Sequence, residues 1–502
     1  MTPSRLRPPR RMAPMLAVLV AVLASLQSAD AASPSLELKA CRLPGHPTEL
    51  QCGTLKRPLD PAQPQGTQID LRVVVLPALA RNKLPDPVVI LAGGPGQSAV
   101  DLLPVVAPRF SRLSQRRDLV FVDQRGTGKS APLECADEAG LSMAQGLDME
   151  AQMKRLDACR GQLGQLPHGD LTQYTTTIAM QDLDAVRQAL GVAQWNVQGG
   201  SYGTRAALEY LRQFPKATRR VILDGVAPPD MVLPRSFSAD NQAALDALLA
   251  HCAQDAGCQK AYPDLAGQWK RLLASLPREV SVPHPVTGKL ETVRLQAMHV
   301  LRAVRGPMYV PSLTAVVPAA IAQASEGDFN ALVGLSSGMG GRAGRLAMGM
   351  HFSVVCAEDL PRMPLSKDPV GADYGTMEAQ LYGRVCADWP KGKVPPAFYE
   401  IPKAQSAVLV LSGGADPVTP PRHGERATAA LGSLAKHVVV PAAGHGVSGL
   451  PCMRDVMAKF IEAPTDAEAL AVKADCAATM PRATAFVPPN PSLPPVKKEG
   501  QK

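Results

Sequence analysis

Five short, almost uninterrupted apolar runs constrain this chain most: "LRVVVL" (71–76), "PVVILA" (87–92), "DLVFVD" (118–123), "WNVQG" (195–199) and "RVILDG" (220–225). A strand with one wet face alternates polar and apolar residues, so runs like these must be covered on both faces. Helical periodicity lies between them. "IAMQDLDAVRQALG" precedes the fourth run and closes at Gly191, and "TRAALEYLRQFP" follows it and closes at Pro215. The pattern predicts an α/β protein: a buried, mostly parallel central sheet with helices on both faces.

After Leu223 the next convincing strand is "AVLVLSG" (407–413), roughly 184 positions on, whereas a βαβ step needs only ~30 residues. The intervening stretch is rich in helix formers, as in "NQAALDALLAHC" and "SLTAVVPAAIAQA". It reads as an insertion. The predicted organisation is a core in two parts, 32–230 and 401–487, with a mainly helical cap domain at 231–400 over one end of the sheet. From Pro488 the Pro/Lys-rich end (488–502) lacks periodicity and reads as a disordered tail.

Residues 1–31 read as an export signal. Arg5, Arg7, Arg10 and Arg11 precede "MLAVLVAVLASL", and "ADA" ending at Ala31 supplies the small-x-small pattern of a cleavage site. The apolar run is too short for a spanning helix, which needs ~20 residues. Stable membrane insertion is therefore not expected. In an exported chain the 10 cysteines predict disulfides rather than metal ligands. Nearest-neighbour pairing joins Cys41 with Cys52, Cys135 with Cys159, Cys252 with Cys258, Cys356 with Cys386, and Cys452 with Cys476. No zinc-type spacing and no phosphate-binding GxxxxGK[ST] pattern occurs, so neither metal nor cofactor is expected. The formal charge of +9 gathers partly in the signal and tail, and aromatics make up 4% of residues. Nucleic acid is therefore not an expected partner. Oligomeric state stays open.

The turn "QGGSYG" (198–203) falls where a strand pattern becomes a helix pattern. Gly199, Ser201 and Gly203 form G-x-S-x-G, the signature of a strained strand-to-helix elbow that holds up a nucleophilic serine. Such a serine needs a base, and the base needs an orienting acid, arriving in the chain order Ser, Asp or Glu, His. "VLVLSGGADPVTPP" sets Asp416 at a strand end, with Thr419 placed to orient it. His445 in "VVVPAAGHGV" follows the next strand between glycines. His423 and His437 are rival bases in weaker contexts. Oxyanion donors are expected from the backbone N–H of Tyr202 and from Gly93 and Gly94 in "ILAGGPGQS".

Together "AGGPGQS" (92–98), "VDQRGTGKS" (122–130), "DLDAVRQALG" (182–191), "GGSYGT" (199–204), "RVILDGVAPP" (220–229), "CAEDLP" (356–361), "GGADPVTPP" (413–421) and "GHGV" (444–447) resemble the proline iminopeptidase group of α/β-hydrolases. They are closer still to its exported tripeptidyl aminopeptidase-like branch. The resemblance runs from about 50 to 476. It implies an α/β-hydrolase fold with a cap, and a serine exopeptidase that releases short peptides from a peptide substrate with a free N-terminus, using Ser201, Asp416 and His445. Two departures stand out: Ala92 where relatives often carry His, and Tyr202 where prolyl iminopeptidases usually carry Trp. The second leans away from a strict prolyl aminopeptidase. The resemblance also suggests an acidic anchor for the substrate amine at Glu358 and Asp359. The residues leave open an ester hydrolase with the same three side chains, or a silent binding protein on this fold.

Overall fold

The structure, a computed structural model, describes residue 2 and residues 36–136, 140–337 and 345–487. The expected export signal, apart from Thr2, and the expected tail at 488–502 lie outside the described residues.

Nine strands form one sheet in the order β1-β2-β3-β5-β4-β6-β7-β10-β11. These are β1 (Lys39–Cys41), β2 (Leu50–Pro58), β3 (Gln68–Leu76), β4 (Val88–Leu91), β5 (Leu119–Val122), β6 (Trp195–Gly200), β7 (Thr218–Asp224), β10 (Val408–Gly413) and β11 (Ala435–Val440). From β5 to β11 every neighbouring pair is parallel. The first three strands form an antiparallel edge. The run at 71–76 thus belongs to the sheet but runs against β5.

Alternation along the buried strands feeds two cores. Val73, Val75, Val89, Leu91, Val120 and Val122 point to the face covered by Ala206 and Leu208 of the helix Tyr202–Gln213. Val74, Val88, Ile90, Leu119 and Phe121 point to the other, beneath Leu103 of helix Ala99–Val106 and Phe460 of helix Pro451–Glu462. Both faces are sealed, which is why these runs carry so few polar residues.

Strands β7 and β10 pair directly, Val408 against Val221, although they are far apart in sequence. The stretch between them carries a hydrophobic cluster of its own around Leu245, Trp269, Val304 and Ile321. It also contains an antiparallel hairpin, β8 (Arg278–Pro283) with β9 (Leu290–Leu295). Alternating burial along "REVSVP" and "LETVRL" gives these residues the period of a half-exposed strand. Buried His423 Nε2 lies 2.8 Å from Asp240 Oδ2, and Arg422 Nε donates to Asp240 Oδ1 at 2.7 Å, tying this stretch to helix Pro421–Leu431.

All five cysteine pairs sit at disulfide distance in the nearest-neighbour connectivity. Among the described residues no helix is long and apolar enough to cross a membrane.

Candidate active site

Ser201 sits between the end of β6 and the helix Tyr202–Gln213 with φ 56° and ψ −125°. A side chain in this region carries strain of about 1–3 kcal/mol, held here by neighbours that leave no room to relax. A Cβ on Gly199 would lie 2.2 Å from Gly203 O, and one on Gly203 would lie 2.3 Å from Leu91 O. Both glycines are therefore demanded by backbone contact. The Ser201 N–H donates to Asp224 O at the end of β7, 2.9 Å away.

Asp416 is buried, and all its acceptor capacity is used. Its Oδ1 accepts from the N–H groups of Val418 and Thr419, both at 2.9 Å, and its Oδ2 from Thr419 Oγ1 at 2.7 Å. His445 Nδ1 lies 2.8 Å from the same Oδ2. Burial alone would raise the Asp416 carboxyl, but the His445 charge and these donors hold it below the usual carboxylate range. For His445, burial works downward and is outweighed by the charge and hydrogen bond of Asp416, with Asp224 adding to them. The imidazole is held above its ordinary value.

Ser201 meets this pair through the backbone. Gly225, next after the Asp224 carbonyl that Ser201 N–H binds, has φ +69°, and a Cβ there would lie 3.3 Å from His445 Cε1. The imidazole and the serine therefore flank the end of β7. Among the described residues no hydrogen bond forms to the Ser201 hydroxyl. Serine and histidine share a neighbourhood without a closed Oγ–Nε2 bond, a looseness common before substrate arrives.

On the other side of the serine stands the early glycine loop. A Cβ on Gly93 would lie 3.2 Å from both Gly200 O and Ser201 Cβ. The Tyr202 N–H occupies the first position of its helix, where backbone donors point outward. Gly93 and Tyr202 thus lie next to the serine, and Gly94 follows Gly93 in the same loop.

The structure does not bring Glu358 and Asp359 to an open surface. Both side chains are sealed, 0% and 1% exposed. Asp359 accepts two hydrogen bonds from Arg205, at 2.9 and 3.1 Å, and one from Leu233 N–H at 3.0 Å. Glu358 accepts from Thr176 N–H at 2.7 Å and Thr176 Oγ1 at 3.0 Å. Thr176 Oγ1 in turn lies 2.6 Å from Tyr202 OH, which also accepts from Gln124 at 3.1 Å. Burial pushes the Glu358 carboxyl up to about 7 against the pull of Arg205 and Thr176. The expected amine anchor is instead a buried prop behind the elbow, because Arg205, four residues after Ser201, takes up the acidic pair.

The rival histidines are engaged elsewhere: His423 with Asp240, and His437 Nε2 with Ser412 Oγ at 2.9 Å. Two contributors escaped the sequence reading. Asp224 accepts from Val447 and Ser448 N–H at 2.8 and 2.9 Å, pinning the loop after His445. Tyr309 accepts the His445 N–H at 2.9 Å through its carbonyl and sets its ring edge-on to the imidazole, centroids 5.0 Å apart. The aspartate at the end of "RVILDG" was a visible signal for the first; nothing local marked the second.

A sharp elbow on a mostly parallel sheet, with an Asp–His pair at the ends of later strands, defines a hydrolase fold of known type. The fold is the α/β-hydrolase fold, and a profile described as alpha/beta hydrolase fold matches residues 86–287. A second profile, described as TAP-like protein, matches residues 373–469. Tripeptidyl aminopeptidase of Streptomyces coelicolor is 25% identical over 476 residues, 86% of this chain and 84% of that protein. Serine protease Hip1 of Mycobacterium tuberculosis is 33% identical over 224 residues, 41% of this chain and 42% of the relative. Carboxylesterase B of Mycobacterium tuberculosis is 28% identical over 415 residues, covering 76% and 78%.

Proposed function

We propose that the protein is an exported serine aminopeptidase that releases short peptides, of the tripeptidyl kind, through an acyl-enzyme. The observation that carries this reading is Ser201 on its strained turn beside the Asp416–His445 pair. Ser201 Oγ attacks the scissile carbonyl carbon while His445 Nε2 takes the hydroxyl proton. Asp416 keeps the other ring nitrogen protonated and steadies the imidazolium. The tetrahedral oxyanion is met by the N–H of Tyr202 and N–H groups of the Gly93–Gly94 loop, each worth about 10²- to 10³-fold in rate. Collapse expels the amine, which takes the proton from His445. Water then enters by the same base and releases the acid.

The names of the Streptomyces and Hip1 relatives support peptide chemistry, and five disulfides suit an oxidising compartment. The residues 231–400 would form the cap that shapes the substrate's entry. A second reading, an ester hydrolase, is favoured by one observation: the acidic pair expected to anchor an amine is sealed behind the elbow. Tripeptide anilides with free and acetylated amino termini, assayed beside short-chain esters, separate the two. Free-amine anilides turned over at least tenfold better than blocked ones support the aminopeptidase. Equal rates on both, with faster ester cleavage, overturn it.

A further inference from the structure

A cavity of about 600 Å3 opens beside the candidate active site, lined among others by Leu346, Met348, Arg302, Arg305, Glu378 and Tyr382. One wall belongs to the glycine loop: Leu346 Cδ2 would lie 3.1 Å from a Cβ on Gly94, and Ala347 N–H donates to Gly96 O at 2.9 Å. Another part of the lining, Arg302 and Arg305, sits on an element that leads to the histidine. Helix Ala297–Met308, which carries Arg302 and Arg305, runs straight into Tyr309, the residue that holds the His445 backbone and packs on its ring. The cavity is thus linked to the glycine loop through Leu346 and to His445 through the helix that ends at Tyr309.

Its charges do not cancel. Glu378 accepts a hydrogen bond from Arg302 Nε at 2.8 Å, and Arg305 Nη1 forms only a longer ion pair with the same oxygen at 3.8 Å, so one carboxylate serves two guanidinium groups. At the rim, Glu134 lies 3.0 Å from Arg345. Arg305 makes no hydrogen bond among the described residues, and its side chain is 27% exposed. A planar guanidinium with free donors is suited to gripping a carboxylate with two parallel bonds.

We infer that Arg305 binds a carboxylate of the substrate, so that the cavity selects peptides that present one there. The inference rests on the reading of Ser201 as nucleophile. The carboxylate has two possible sources, an acidic side chain or the C-terminus of a short peptide, and both present the same group.

The test compares kcat/KM for tripeptide anilides carrying Glu or Gln at each position, and for a free tetrapeptide against its C-terminal amide. The wild type is expected to prefer the charged member of at least one pair by about 10- to 100-fold, the range of a charge-assisted contact, mainly through KM. A Glu pair assigns the side chain, the tetrapeptide pair the terminus. Arg305→Gln should collapse that preference. Glu378→Gln, which releases Arg302 as a second donor, should enlarge it, and this variant decides the matter if Arg305→Gln does not fold. Charged and neutral members within twofold in every pair, or a preference that survives Arg305→Gln, overturns the inference. Turnover that persists in Ser201→Ala instead overturns the underlying reading of the serine.

Discussion

Replacing Asp416 with Asn changes one atom, and its consequence follows from four hydrogen bonds. Oδ1 is held by the N–H groups of Val418 and Thr419, so an asparagine must keep its carbonyl there. Its NH2 is then forced to the Oδ2 position, facing Thr419 Oγ1 and His445 Nδ1. An amide donor opposite Nδ1 requires that nitrogen to accept, which moves the ring proton to Nε2. The imidazole then cannot take the proton of Ser201. In a serine protease of a different fold, the equivalent change drops kcat about 10⁴-fold. Here kcat/KM should fall by about 10³- to 10⁴-fold, or roughly 4 to 5.5 kcal/mol of transition-state stabilisation. Because the packing is isosteric, the melting temperature should move little. The assay is steady-state hydrolysis of a free-amine tripeptide anilide, with thermal unfolding on the same sample. A variant that folds normally and retains more than a tenth of wild-type kcat/KM would refute the assignment of Asp416 as the orienting acid.

Asp416 and Asp224 hold the His445 imidazole above its ordinary value against burial. The acid limb of the wild-type kcat/KM profile should therefore have its midpoint above ~6.5, and a limb below that would contradict the pairing. Gly203→Ala, whose Cβ meets Leu91 O at 2.3 Å, should destabilise by ~1 to 3 kcal/mol or more, read as a large fall in melting temperature. Glu358→Gln should shift KM equally for free-amine and blocked substrates, since the side chain is sealed. The same variant tests linkage. A carboxyl raised to about 7 by burial contributes stability that is full below its unfolded value of ~4.3 and is lost as pH rises through 7. The wild type should thus lose more stability than the variant between pH 5 and 8, measured by denaturant unfolding.

The sheet was legible because sealed strands must be apolar throughout, and the elbow because its glycines answer to contacts within a few residues or one strand away. That Asp416 and His445 come together follows from their places at strand ends. Glu358 and Asp359 were misread for a physical reason: sequence shows an acidic pair but not its burial, and the cation that binds Asp359, Arg205, lies 154 positions earlier. Asp224 stood visible at its strand end, whereas Tyr309 acts through a contact with backbone far along the chain, which leaves no local pattern. The hairpin β8–β9 did leave one, an alternating pattern overlooked among strong helix formers.

The central claim is that Ser201 is a nucleophile activated by His445. A fluorophosphonate probe, followed by intact mass and peptide mapping, tests it most directly. One adduct on Ser201, formed at least ~100-fold more slowly when His445 is replaced by Gln, is the predicted result. An adduct on any other residue, or labelling of Ser201 at an unchanged rate without His445, would contradict it.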